Sequence, residues 1–269
     1  MNASRTVKAL RLGRAAAFLV LGAPVQRLGA QEAASESGRQ IAERAIAQLK
    51  GYGDVAAEIT IVLKARRGDA RTWTVRLLSL EQPGVERTIV VFERPRDVRG
   101  TALLTATRPG RENEQWLYLP AVGRVKRIAS QGRSSSFMGT EFSYEDVAPD
   151  DAARYRYGET RADTLDGVPV TAVERFPQDP GSAYGRQLLW VDGDDRPIRI
   201  DYFDRAGSQV KTLHYRGYRL RAGRFWRADE MEMVNHKTLA STTLLWTAYR
   251  FGAGLRASDF EPDALGRTP

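Results

Sequence analysis

From Val55 onward, apolar residues recur at every second position. Ile59, Ile61 and Leu63 alternate with Thr60, Val62 and Lys64, and Trp73, Val75 and Leu77 alternate with Thr74, Arg76 and Leu78. A period of two belongs to a β-strand, whose successive side chains point to opposite faces. Arg67-Gly68-Asp69, between the two runs, is a hairpin signal. The same reading predicts strands near 87–93, 101–107, 115–119, 123–128, 153–160, 168–175, 185–191, 197–204, 209–218, 224–235 and 241–250. Pro109-Gly110, Asp166-Gly167, Asp192 to Asp195, Ala206-Gly207 and Ala222-Gly223 punctuate them. Strands at this spacing, with no helical pattern between them, predict an antiparallel meander.

Helical periodicity occurs once. Ile41, Ala42, Ala45, Ile46 and Leu49 form one apolar stripe over 37–50. Ser37 to Gln40 has capping-box form, and Gly51 and Gly53 end the run. One segment, 129–152, breaks the strand rhythm. It carries Ser134-Ser135-Ser136, then Phe137-Met138-Gly139-Thr140-Glu141-Phe142-Ser143-Tyr144-Glu145-Asp146. Long excursions with large apolar side chains are lids, binding loops or small inserts. A curved sheet carrying such an insert either fills its concave side or leaves a cavity, and periodicity alone does not choose.

The chain of 269 residues is 42% hydrophobic and 28% charged, a globular composition. Its formal charge of +8 invites a nucleic acid or a membrane surface as partner. Much of that surplus sits at the N-terminus. Arg5, Lys8, Arg11 and Arg14 precede an apolar run from Ala15 to Val25, and Leu28-Gly29-Ala30 offers a cleavage site, so 1–30 reads as a secretory signal peptide. The remaining chain, 31–269, is expected to form a single domain. Without 1–30 there remain 36 basic against 33 acidic residues, a net of +3. No nucleic acid is therefore expected as partner.

The candidate chemistry is sparse. There is no cysteine, which excludes disulfides, thiolate metal sites, a cysteine nucleophile and a lipidated N-terminal cysteine. His214 and His236 stand in different strands without a second ligand at metal spacing, so no metal or cofactor is expected. Ser134 to Ser136 lack a nucleophile elbow, and the chain is not read as an enzyme. The basic run Arg124, Lys126, Arg127 and Arg133 is expected to neutralise the acids Glu141, Glu145, Asp146, Asp150 and Asp151 that follow it. Arg216, Arg219, Arg221, Arg224 and Arg227 are expected on a charged strand face or edge.

Gln115-Trp116-Leu117-Tyr118-Leu119-Pro120, Gly123-Arg124-Val125-Lys126-Arg127-Ile128 and, most specifically, Phe137 through Asp146 strongly resemble the LolA-like family of outer-membrane lipoprotein-sorting proteins. Leu189-Trp190-Val191-Asp192, Pro197-Ile198-Arg199, Tyr202-Phe203-Asp204 and Gly207 look like that family's later hairpin, and the resemblance spans about Ile41 to Phe260. It implies a mainly β (α+β) fold: a strongly curved antiparallel sheet forming an incomplete β-barrel. An N-terminal helix and the lid-like excursion of about 129–152 would close it over a hydrophobic cavity. It also implies a periplasmic carrier of the acyl chains of lipoproteins or other lipids. Its partners would be an inner-membrane exporter of the resistance-nodulation-division type and an outer-membrane acceptor, with the carrier a monomer that is not lipid-anchored. The residues expected to contact acyl chains are Trp73, Val75, Trp116, Tyr118, Phe137, Met138, Phe142, Tyr144, Trp190 and Trp246. The alternative is an envelope scaffold or exporter accessory whose barrel is filled by its own side chains.

Overall fold

Thirteen strands follow one another along the described residues. They are β1 (Asp54–Lys64), β2 (Ala70–Gln82), β3 (Val85–Arg94), β4 (Ala102–Thr107), β5 (Glu114–Leu119) and β6 (Arg124–Arg127), then β7 (Tyr155–Leu165), β8 (Val168–Pro177), β9 (Arg186–Asp192), β10 (Pro197–Phe203), β11 (Gln209–Arg221), β12 (Phe225–Asn235) and β13 (Ser241–Phe251). The structure is a computed structural model and describes residues 37–267; the expected signal peptide, 1–30, lies outside the described residues. The strands make one curved antiparallel sheet in the order β6-β5-β4-β3-β2-β1-β13-β12-β11-β10-β9-β8-β7. Every pair of chain neighbours is hydrogen-bonded except β6 and β7, and the single non-sequential pairing joins β1 to β13, with Ile61 opposite Leu244 and Lys64 opposite Ser241.

This topology gives the excursion its place. The two unpaired edges, β6 and β7, are consecutive in the chain. The segment between them, 128–154, must therefore cross from one free edge of the sheet to the other, so the barrel stays open in its hydrogen bonding and is bridged by irregular chain. Two single 3-10 turns, Ser130–Gly132 and Ala152–Arg154, mark its ends.

Alternation divides the side chains between two faces. On the convex face of β2, β3 and β4, Leu78, Leu80, Ile89, Val91, Ala102 and Leu104 pack under the C-terminal tail. That tail folds as 3-10 turns, Ala257–Phe260 and Pro262–Arg267, and buries Phe260 and Leu265. Two buried side chains of this size supply about 1.5–3 kcal/mol each, which holds the tail without regular structure of its own. The concave face carries Ile59, Ile61, Trp73, Val75, Phe92 and Leu103, joined by Phe137 and Tyr144 from the excursion.

Among the described residues one α-helix, α1, covers residues 37–47. Ser37 is itself helical rather than the residue before the first turn, and the helix stops short of the predicted residue 50. Ala42 and Ala45 are fully buried against Tyr157, Val173, Leu189 and Val191. Gly38 sets the closeness of that approach: a Cβ there would lie 3.0 Å from Thr160 Oγ1 and 3.2 Å from Val173 Cγ1. The chain leaves the helix through Gly51, at φ +82°, a conformation that glycine adopts without a Cβ penalty. Among the described residues no helix is long and apolar enough to cross a membrane.

Two charge expectations are corrected. Arg216 to Arg227 span the β11–β12 hairpin, with Arg224 in its turn. Both strands are interior, so of the expected face or edge only the edge is excluded, and most of these arginines are paired. Arg216 meets Glu230 and Glu232, Arg219 and Arg221 meet Asp229, and Arg227 donates to Leu49 O at 2.9 Å, capping the chain after α1. The acids of the excursion also find other partners. Asp150 pairs with Arg175 at 2.7 Å and Asp146 with Lys211 at 3.5 Å, while Arg133 turns to Glu112 and Asp179. A meander brings together residues far apart in sequence, so proximity along the chain did not predict these pairs.

Candidate functional site

The concave face encloses a cavity of about 340 Å³, within the range of small-ligand pockets. Seven strands present apolar residues to it. These are Val55, Ile59 and Ile61 from β1, Val75 and Leu77 from β2, Val90 from β3, Ile200 and Tyr202 from β10, Leu213 and Tyr215 from β11, Met231 from β12, and Leu244 and Trp246 from β13. Ile46 and Leu49 close it from the helical segment, and Phe137, Phe142 and Val147 to Pro149 close it from the excursion.

The excursion is seated by a tight hairpin. Phe137 N donates to Phe142 O at 2.8 Å and Thr140 N to Phe137 O at 2.9 Å. Between them Met138 and Gly139 both take positive φ, +54° and +79°, the signature of a type I′ turn. The turn throws Phe137 inward against Phe92 and Tyr144, at ring-centroid distances of 5.7 and 5.5 Å. Outer bonds fix the hairpin to the sheet: Gln115 Nε2 donates to Tyr144 O (2.8 Å), Glu141 N to Thr242 Oγ1 (2.9 Å) and Asn235 Nδ2 to Glu141 Oε2 (2.6 Å).

Two polar patches interrupt the apolar wall. In the first, the Tyr52 hydroxyl bonds Ser79 Oγ at 2.6 Å and Glu86 Oε1 at 2.8 Å, with Lys50 3.8 Å from Glu86. Burial raises the Glu86 carboxyl above its usual range, against the pull of Tyr52 and Lys50. The second is built around Arg175, 2% exposed, which donates to Asp150 at 2.7 Å and Gln187 at 2.9 Å and stacks over the Tyr155 ring at 4.1 Å. Burial alone would raise Asp150, but the guanidinium reverses that and holds its carboxyl low. Beside it, burial and the Asp146 charge push Glu145 up to about 7, although it accepts a bond from Ala183 N. Burial also keeps the phenols of Tyr202 and Tyr215 neutral.

Of the residues singled out from sequence, Val75, Phe137, Phe142 and Trp246 line the cavity. Trp73, Met138 and Tyr144 lie one layer away, in the aromatic cluster under the hairpin. Trp116 and Tyr118 pack on the convex face under the C-terminal tail, because Gln115 and Leu117 occupy the inward positions of β5. Trp190 is also outside the cavity, in a cluster with Val170 and Ala172, and donates its indole N–H to Asp201 at 2.9 Å. The lining from β10 to β12 (Ile200, Tyr202, Leu213, Tyr215 and Met231) was visible as alternation but not singled out. Both faces of these strands carry apolar residues, and sequence does not say which is concave. Of the two histidines, His236 bonds Thr212 Oγ1 at 2.9 Å, and His214 is lowered by burial and by Arg216 and Arg199.

A family model described as "Uncharacterized protein" matches residues 84–267. No curated protein matches the chain. Solved structures do. A Vibrio parahaemolyticus domain assigned to outer membrane lipoprotein sorting is 38% identical, covers 87% of this chain and 100% of its own, and superposes with a TM-score of 0.83. A DUF1329 family protein from Desulfovibrio piger is 28% identical over 86% of this chain and 99% of its own, with a TM-score of 0.81. A LolA superfamily protein from Nitrosomonas europaea, 20% identical over 84% of this chain and 98% of its own, shares the fold with a TM-score of 0.68.

Proposed function

Because the chain belongs to the LolA-like family of outer-membrane lipoprotein-sorting proteins, we propose that it is a periplasmic carrier that shields acyl chains in its concave cavity. Residues 1–30 would direct export and be removed, leaving 31–269 as one monomeric domain. Cargo would come from an inner-membrane exporter of the resistance-nodulation-division type and pass to an outer-membrane acceptor. The observation that carries this reading is the cavity itself: apolar walls from seven strands, closed by the excursion, with space of about 340 Å³ left inside. That space favours a carrier over a scaffold with a filled barrel.

The energetics fit a non-covalent carrier. Burying an acyl chain of about 16 carbons at ~0.8 kcal/mol per methylene yields a gross ~13 kcal/mol, enough to hold a lipid in water. Release then needs an apolar sink or an opening of the excursion, and no bond need be made or broken. The lining residues Val75, Phe137, Phe142 and Trp246 would touch the chain directly. Trp73, Met138 and Tyr144 would support the hairpin that covers it.

The test is native mass spectrometry and lipid extraction on protein made from the full-length gene in an export-competent host. A co-purifying lipid, and uptake of a fluorescent fatty acid by the stripped protein, are expected. Neither lipid nor uptake would overturn the carrier reading.

A further inference from the structure

The described residues separate the chain's basic groups into two populations. Most are paired or stacked: Arg44 with Asp195, Arg186 with Glu174, Arg196 with Asp192, Arg216 with Glu230. Of those that form no ion pair among the described residues, nine gather at one end of the sheet, whereas others such as Arg111, Arg224 and Arg250 are spread over the opposite end. Lys64, Arg66, Arg67 and Arg71 surround the β1–β2 turn. Arg94, Arg96 and Arg99 stand on the β3–β4 connection, where Arg96 and Arg99 share an open hollow with the Arg76–Glu93 pair. Arg124 and Lys126 extend the row along β6. All are exposed.

The registers make this a continuous rim. β1 and β3 run in the same direction, as does β5, so their exits into β2, β4 and β6 fall at the same end. Within these turns only Asp69 and Asp97 oppose the basic charge. At the opposite end acids and bases are mixed and largely paired, as in Arg108–Glu114, Arg196–Asp192 and Arg219–Asp229. In a chain with a net of only +3 outside its first thirty residues, this rim is a local concentration of unpaired basic charge.

We infer that this rim is a docking surface for an anionic phospholipid bilayer. Arginines left without acids remain free to bond phosphate oxygens, to which the guanidinium is suited as a bidentate donor. Each basic group close to a negatively charged leaflet adds about fivefold to partition, so several on one rim bring the protein to the surface and orient it. Val122 and Leu239, 52% and 55% exposed, stand at turns of the same end and offer shallow apolar contact. The clustering of unpaired basic groups is what distinguishes the ends, since Val168 and Leu220 are comparably exposed at the other. The surface is independent of the cargo: the rim can dock whether or not the cavity holds an acyl chain.

The test is co-sedimentation of the exported full-length gene product with vesicles of phosphatidylcholine alone or mixed with phosphatidylglycerol. Binding to the anionic vesicles only, weakened by salt, is expected. Arg66→Glu/Arg96→Glu/Arg99→Glu should lower the partition by on the order of a hundredfold. Arg111→Glu/Arg224→Glu/Arg250→Glu changes the net charge equally at exposed positions of the opposite end and should leave binding near the parent value. Circular dichroism and melting temperature confirm that both variants fold. Equal binding to neutral vesicles, an unaffected rim variant, or an equal loss in the control would overturn the proposal. So would binding of the rim to an acidic protein with no affinity for vesicles. Fatty-acid uptake by the rim variant reads the carrier reading separately.

Discussion

Two carboxylates a few residues apart in the excursion titrate in opposite directions, and the reason is their nearest cation. Asp150 lies against the Arg175 guanidinium at 2.7 Å, which outweighs the cost of its burial. Its stabilising contribution is therefore present above the ordinary carboxylate range and is lost only as pH falls through its lowered value. Glu145 has no such partner: burial dominates, Asp146 adds like charge, and its carboxyl titrates at about 7. The folded protein then binds a proton that the unfolded chain has released, between an unfolded value of 4.5 and about 7. Over that window stability should fall as pH rises, by on the order of 2 kcal/mol for a partly exposed group. Glu145→Gln should flatten this slope. Urea unfolding of both proteins between pH 5 and pH 8 measures it, and parallel slopes would show that Glu145 is not the group responsible.

At the scale of the element, the strands were legible and their facing was not. Period-two runs and turn dipeptides located every strand from β3 to β13 to within a few residues, because hairpin turns demand residues that tolerate positive φ; Asp166-Gly167 and Ala222-Gly223 both adopt it. Trp116, Tyr118 and Trp190 show what alternation leaves out. It separates two faces, but only the curvature and the covering tail decide which is concave. The tail itself, 252–267, has no periodicity and is held chiefly by Phe260 and Leu265, with Ala253 and Leu255 packed against the same cluster. The excursion was legible as an interruption, and its hairpin follows from Met138-Gly139 at the turn. Phe137, 3% exposed and wedged between Phe92 and Tyr144, should be its main anchor. Phe137→Ala should cost about 3–5 kcal/mol in chemical denaturation. A loss below about 1 kcal/mol would mean that the hydrogen bonds to Gln115 and Thr242 hold the hairpin without it.

For the whole molecule, the decisive feature is that the free edges β6 and β7 are joined by the piece that covers the cavity. Opening such a structure need not break a strand ladder, because 128–154 can lift while all twelve strand pairings persist. The bonds that would give way are individual contacts rather than a ladder, among them Glu141 N to Thr242 Oγ1, Gln115 to Tyr144 O and the Asp150–Arg175 pair. The first of these, at 2.9 Å, brings the Cα atoms of 141 and 242 within about 7 Å, which is disulfide reach. The chain has no cysteine of its own, so Glu141→Cys/Thr242→Cys can form one intramolecular bridge and no other. Oxidised, with bridge formation checked by thiol titration, the variant should neither load nor release a fluorescent fatty acid. Reduction should restore both. Exchange at the parent rate with the bridge intact would show that cargo enters by a route the excursion does not control, leaving α1 as the element to be tethered next.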